Sequence, residues 1–235
     1  DISEVIISPG IAGSESIVRW IRAKNISIIS DIELFGRYVK APMIGITGSN
    51  GKSTVTQLLG EMALASSLKA YICGNIGNPV MECISDDAEL YIVELSSYQL
   101  DYTNKLDLFA GVITNISPDH LDRYSSYSNY ISSKLSIYDY SMFNIINLNE
   151  PEVNGISGDN FFSIEKNESK CDFFASKKDN LYEVFHQGKV LMTSDDLLVV
   201  GKHNIENMLA SLTLGYRFGL SVNTMKEAAI EFKGL

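Results

Sequence analysis

Cysteine is scarce: three residues in 235, Cys73, Cys83 and Cys171, an odd number with no C-x-x-C pair. That excludes a disulfide framework and points to small buried thiols kept reduced. Positive charge is also short. Lys and Arg number 19 against 29 Asp and Glu, a formal net charge of −10. A chain this acidic is a poor general binder of nucleic acid or anionic membrane, so an anionic ligand needs a local positive site. Long apolar runs are missing too. None reaches the roughly 18 residues that a membrane-spanning helix needs, and no secretory signal pattern opens the sequence. The expectation is a cytoplasmic protein without nucleic-acid or membrane partners.

What is present is a hydrophobic content of 45%, enough for one large domain or a domain plus a fragment. Short apolar runs alternate with helical patterns to about residue 148. The expected strands are 5–7, 27–29, 43–47, 69–73, 90–95, 108–115 and 143–148. Residues 53–65 place Val55, Leu58, Leu59 and Met62 on one helical face. Strands alternating with helices imply an α/β fold, a mostly parallel P-loop-type sheet with flanking helices. From about 161 to 200 the pattern shifts to short strands with polar breaks, and Gln187-Gly188 reads as a hairpin turn. A small antiparallel sheet on the flank is expected there, followed by helices over 204–218 and 222–232. The chain opens on Asp1 directly before an apolar strand and stops just after a helical pattern, which suggests a piece of a longer protein.

The run Thr47-Gly48-Ser49-Asn50-Gly51-Lys52-Ser53-Thr54 follows a strand and opens a helix. Its glycines allow a tight turn with N–H groups aimed into a concavity, and the helix start adds a positive dipole end. Lys52 would reach nucleotide phosphates and the Ser53 hydroxyl would ligate Mg²⁺. The spacing departs from G-x-x-x-x-G-K-[ST], because Ile46 stands where the first glycine belongs; an ordinary glycine-rich turn is the alternative.

Other polar residues fall at the carboxyl ends of expected strands, where open α/β sheets bind ligands. Gly74-Asn75-Ile76-Gly77 follows one strand, Glu94 lies near the end of another, and Asp119-His120 follows a third. With the glycine-rich loop, that is four clusters on one edge. Glu94 is a hard oxygen donor suited to Mg²⁺, or a salt-bridged carboxylate. His120 is a less natural Mg²⁺ ligand. Lys134 lies on the apolar helical stripe of Tyr127, Tyr130, Ile131, Leu135 and Tyr138. Burial would push its amine toward the neutral form, which can add CO₂ and become a metal-binding carbamate. On the residues alone, a buried stem with a head reaching water is the stronger reading. Asn204 would cap the late helix or bind a purine edge, with Asn207 one turn further; capping is the default.

These clusters, in this order, resemble the Mur ligases, which build the peptide of bacterial cell-wall precursors, and among them the members that add D-glutamate. The matching stretches are Ser8-Pro9-Gly10, Ser30-Asp31-Ile32-Glu33-Leu34-Phe35, the loop from Thr47 to Thr54, and Gly74-Asn75-Ile76-Gly77. They continue with Glu94-Leu95-Ser96-Ser97-Tyr98-Gln99-Leu100, Asp119-His120-Leu121-Asp122-Arg123-Tyr124, Ser133-Lys134-Leu135 and Gly201-Lys202-His203-Asn204. Each motif is weak alone; eight in order are specific. Tyr98 departs from an expected phenylalanine and Cys73 from an expected glycine.

The resemblance implies roles. Gly48, Ser49, Asn50, Gly51, Lys52, Ser53 and Thr54 would hold ATP, with Asn204 and Asn207 at the adenine. Ser53 and Glu94 would hold one Mg²⁺, and His120 with carbamylated Lys134 a second; Lys52, His120 and Lys134 are the expected catalytic residues. Ser8, Pro9, Gly10, Asn75, Ser96 and Gln99 would line the site for UDP-N-acetylmuramoyl-L-alanine. ATP would turn the alanyl carboxylate into an acyl-phosphate, which the amine of D-glutamate would attack. Residues 1–30 would be the end of a UDP-substrate domain and 31–235 the central ATP domain of a monomeric enzyme. The domain that holds D-glutamate would lie outside the chain, so the chain alone is expected not to form the amide. Two rivals remain: a folylpolyglutamate-type ligase and a nucleotide-dependent switch or kinase.

Overall fold

The computed structural model describes residues 2–119, 123–165, 168–199 and 201–235. In chain order the elements are β1 (Glu4–Ile6), α1 (Ser16–Ala23), β2 (Ser27–Ile29), α2 (Asp31–Gly36), β3 (Met43–Thr47) and α3 (Lys52–Ala65). Next come β4 (Ala70–Gly74), β5 (Leu90–Glu94), α4 (Ser97–Leu100), β6 (Leu108–Ile113), α5 (Tyr127–Leu135) and β7 (Ser141–Asn147). The chain closes with β8 (Asn160–Ile164), β9 (Phe173–Lys178), β10 (Leu181–His186), β11 (Lys189–Thr193), α6 (Lys202–Phe218) and α7 (Val222–Glu231).

Nine strands form one sheet in the order β11-β10-β9-β8-β7-β6-β3-β5-β4. Every neighbouring pair from β4 across to β9 is parallel. The mostly parallel sheet expected from the alternating pattern is thus the core of the fold. Strand residues alternate between its two faces, as the two-residue period of a pleat requires. Ile44 and Ile46 of β3 meet Val55, Leu58 and Leu59 of α3 and Leu209 and Leu212 of α6 on one side. Met43 of the same strand joins Ile32 and Phe35 of α2, and Tyr130 of α5, on the other. A separate pair, β1 and β2, runs parallel beside α1 over a small core of Ile7, Val18, Ile21 and Ile28.

The antiparallel strands expected on the flank are present as β9, β10 and β11. They extend the main sheet instead of forming their own, because β8 and β9 pair in parallel, Phe162 opposite Phe173. Phe162, Ile164, Phe173, Ala175 and Val184 bury in the same core as α6. The β10–β11 turn is as expected: Gln187 and Gly188 both have positive φ, 50° and 73°. That is the conformation whose twist suits a two-residue hairpin.

After β3 the chain builds β4 and β5 on one side, then crosses to β6 on the other. Such a reversal of winding opens a crevice at the carboxyl ends of the central strands. The loop between β3 and α3 lies there.

Candidate active site

Gly51 precedes α3 with φ 80° and no capping side chain. The N-cap residue thus leaves the first N–H groups of the helix without a side-chain cap, the arrangement that favours an anion. A Cβ at Gly51 would strike the Asn207 side chain, and one at Gly48 would strike the Thr114 hydroxyl. Both glycines are required by close approach.

The segment after β6 braces this loop. Ser49 N–H donates to Asn115 O at 2.8 Å. Asn50 N–H donates to Asn115 Oδ1 at 2.9 Å. Asn50 O accepts from Thr114 Oγ1 at 2.7 Å and from Asn115 Nδ2 at 2.9 Å. Ser49 Oγ bonds Ser117 O at 3.0 Å and Tyr130 Oη at 2.8 Å.

Two lysines meet at the loop. Lys52 Nζ donates to Gly48 O at 2.9 Å and Ser49 O at 3.1 Å. Lys134 Nζ donates to the same Gly48 O at 2.8 Å and sits 4.8 Å from the centre of the Tyr130 ring. Lys134 is only 2% exposed, so its head does not reach water and the snorkelling reading is overturned. Burial pushes its amine down to about 7, and the Lys52 charge pushes the same way. Lys52 is lowered too, by burial, against the opposing pull of Glu94 and Asp119.

Glu94, at the end of β5, is buried at 1% exposure. Its Oε1 accepts from Asn75 Nδ2 at 2.8 Å. Its Oε2 is buried and has no hydrogen-bond partner among the described residues. An unsatisfied buried carboxylate oxygen is costly unless a cation completes it. Among the described residues no three His, Cys, Asp or Glu side chains converge on a metal position.

A cavity of about 250 Å³ is lined by Gly48, Ser49 and Lys52 of the loop, Asn75 after β4, Ser96 after β5 and Lys134 of α5. Ser97, Tyr98, Asp119 and Tyr130 complete its wall. None of these four is among the site residues expected from sequence. Tyr130 is legible there only as part of an apolar stripe, and its hydroxyl partner is 81 residues away. Asp119 has a signal in its place after β6.

The other expected residues are dispersed. Asn207 packs against Gly51, while Thr54 and Asn204 line a smaller cavity with Leu58 and Met208. Asn204 does not cap α6; Gly201 holds that position. Ser53 lies in the first turn of α3, half-buried. Gln99 forms a capping box at α4, its Oε1 accepting from Ser96 N and Ser96 Oγ, both at 3.0 Å. The S-x-x-Q spacing is a readable signal for that role. The loop of Ser8, Pro9 and Gly10 is tied to the cavity wall through Arg123. That guanidinium donates to Gly10 O and Ile11 O, each at 3.2 Å, and stacks 3.8 Å over Tyr98. His120 lies outside the described residues.

A glycine-rich loop at the switch point of a parallel sheet, with two lysines turned onto it, defines a doubly wound α/β domain of the P-loop kind. The chain belongs to the Mur ligase family: the Mur ligase middle domain matches residues 46–215. It is 37% identical over 236 residues to a UDP-N-acetylmuramoylalanine–D-glutamate ligase of Coxiella burnetii, covering all of this chain and 53% of that protein. Identity to the enzyme of the same name from Pseudomonas savastanoi pv. phaseolicola is 39%, over 99% of this chain and 52% of that one. The chain thus spans about half the length of the curated relatives it matches.

Solved structures share the fold. A UDP-N-acetylmuramoyl-L-alanyl-D-glutamate–2,6-diaminopimelate ligase superposes with a TM-score of 0.75 at 16% identity, over 99% of this chain and 63% of that chain. The UDP-N-acetylmuramate–alanine ligase of Thermotoga maritima gives 0.67 at 20% identity, over 99% and 55%. No helix among the described residues is long and apolar enough to cross a membrane.

Proposed function

We propose that this chain is the ATP-handling part of a ligase that joins D-glutamate to UDP-N-acetylmuramoyl-L-alanine. The observation that carries the reading is the convergence of Lys52 and Lys134 on Gly48 O, in a cavity also lined by Asn75. Asn75 in turn holds the Glu94 carboxylate, whose other oxygen has no hydrogen-bond partner among the described residues. The identity to D-glutamate ligases supports the substrate class.

The chemistry follows from the residues. A carboxylate resists an amine because its oxygen leaves poorly, so ATP must first make it an acyl-phosphate. Lys52, now folded onto the loop, would swing to the β- and γ-phosphates, and the open N–H groups at the start of α3 would hold their oxygens. Glu94 Oε2 and Ser53 would hold one Mg²⁺. Lys134, its amine poised near neutrality, would take up CO₂ as a carbamate and with His120 serve a second. Bound Mg²⁺ would offset charge on the transferring phosphoryl group. Asn204 and Asn207 would face the adenine. Ser8, Pro9, Gly10, Asn75, Ser96 and Gln99 would form the UDP-substrate side, with residues 1–30 the end of a separate substrate domain and 31–235 the ATP domain.

The test is made on the full-length protein with ATP, Mg²⁺, UDP-N-acetylmuramoyl-L-alanine and D-glutamate. The expected result is the UDP-linked dipeptide by mass, absent when any one component is left out. Turnover with a folate and L-glutamate instead, or ATP hydrolysis without any amide product, would overturn the reading.

A further inference from the structure

We propose that Asn115 and Thr114 are positioning residues that fix one peptide group of the phosphate loop, so that its N–H and not its C=O is offered to phosphate. The inference rests on the nucleotide reading above and goes further, by naming which backbone donor the site uses and what aims it.

The loop presents several backbone amides, and two are already spent. Ser49 N–H is held by Asn115 O and Asn50 N–H by Asn115 Oδ1, at 2.8 and 2.9 Å. The next peptide group joins Asn50 to Gly51. Its carbonyl oxygen accepts two bonds, from Thr114 Oγ1 at 2.7 Å and Asn115 Nδ2 at 2.9 Å. In a trans peptide the C=O and the following N–H point in opposite directions. Locking Asn50 O onto the end of β6 therefore aims Gly51 N–H away from Thr114 and Asn115. It joins the uncapped N–H groups at the start of α3.

The lock matters because this peptide can turn over. Gly51 has φ 80°, a region a glycine leaves easily because it has no Cβ. If the peptide flipped, a carbonyl dipole would face an anion and one donor would be lost. The Asn115 side chain prevents this in a way few residues could. Its amide offers an acceptor to Asn50 N–H and a donor to Asn50 O at once, matching the backbone of one residue as a strand neighbour would. Thr114, buried at 5% exposure, adds the second donor.

The experiment measures Mg²⁺-ATP binding to the chain by calorimetry, and follows the Gly51 amide by NMR hydrogen exchange with and without nucleotide. In the parent chain, nucleotide should protect the Gly51 amide. Asn115→Ala should unfold near the parent temperature without nucleotide, bind Mg²⁺-ATP roughly tenfold or more weakly, and lose protection at Gly51 while keeping it at Ser53. Asn115→Asp keeps the acceptor but loses the donor, so it should share the Gly51 defect. Thr114→Val, which leaves one donor in place, should weaken binding by a smaller factor and serves if the Asn115 variants do not fold. Binding within twofold of the parent in the folded variants, or Gly51 protection retained despite weaker binding, overturns the proposal. A parent chain that fails to bind Mg²⁺-ATP would instead overturn the nucleotide reading beneath it.

Discussion

Lys52 and Lys134 share one acceptor: both ammonium groups donate to Gly48 O, at 2.9 and 2.8 Å. Two cations on one carbonyl oxygen repel each other, and both sit in surroundings poor in water. Lys134 bears the greater cost. It is the more buried, and its amine is pushed down to about 7. An anion arriving in the cavity would relieve the pair by drawing Lys52 off the loop. A carbamate on Lys134 would relieve it by turning one positive charge into a negative one. The loop thus holds charge that a ligand, a modification or loss of the Lys134 proton relieves.

Lys52→Ala should remove the phosphate partner without harming the fold, because among the described residues its amine bonds the loop carbonyls of Gly48 and Ser49. The expected result is an unfolding temperature close to the parent without nucleotide, and little of the parent's upward shift with Mg²⁺-ATP. The affinity loss should be roughly tenfold or more. A thermal-shift titration checks it, and a full ATP shift in the variant would contradict the role.

Lys134 makes stability depend on pH in a direction its folded value fixes. An unfolded lysine holds its proton to about pH 10.4, whereas Lys134 in the fold releases it at about 7. Between these values the unfolded chain binds the extra proton, so stability from this group rises with pH. Below 7 both states are protonated and the whole cost of a buried charge is present. Lys134→Met removes that cost. In CO₂-free buffer the variant should gain most over the parent at pH 6, and the gap should narrow by pH 9. Urea midpoints at the two pH values decide it, and a gap that does not change would show that the amine titrates as an exposed lysine does.

Much of this site is legible in the sequence. The apolar run of β3, the glycines and the periodic face of α3 are local signals, and they put Lys52 at a helix start. Glu94, Asn75 and Asp119 are legible as ends of parallel strands, because such a sheet gathers its strand ends on one edge. Lys134 is half legible. Its place on the Tyr130 stripe shows burial, yet nothing in the sequence can show that Gly48 O would meet the amine. The Asn115–Asn50 pairing spans 65 residues and depends on β6 lying beside β3. Gln99 goes the other way: its capping-box spacing is local and visible, while the family likeness points to substrate.

Arg123 reaches across from the site to the loop at Ser8–Ile11. Its two nitrogens bond two successive carbonyls while the plane of the guanidinium lies on Tyr98. A lysine cannot span both carbonyls or stack in the same way. Arg123→Lys should therefore raise amide exchange over residues 8–12, read by mass spectrometry, and leave Mg²⁺-ATP affinity within about twofold of the parent. Unchanged exchange there would show that Tyr102, whose hydroxyl also bonds Ile11 O at 2.7 Å, suffices to hold the loop.

Glu94 distinguishes a structural carboxylate from a metal ligand by two substitutions with opposite signatures. Glu94→Gln keeps an oxygen for the Asn75 amide, so the 2.8 Å bond can survive. It also removes a charge from a position only 1% exposed, and that change need not destabilise the fold. What it removes is the anionic Oε2, the buried oxygen without a hydrogen-bond partner among the described residues. ATP should then bind equally well with and without Mg²⁺, while the parent binds it better with the ion. Glu94→Ala leaves the Asn75 amide without its acceptor and should cost about 1–3 kcal/mol of stability in addition. Calorimetric titration with ATP, in Mg²⁺ and in a chelator, gives the first comparison, and urea unfolding gives the second. If Glu94→Gln retains the parent's preference for Mg²⁺-ATP, the ion is not held at Oε2, and the unpartnered oxygen needs another explanation.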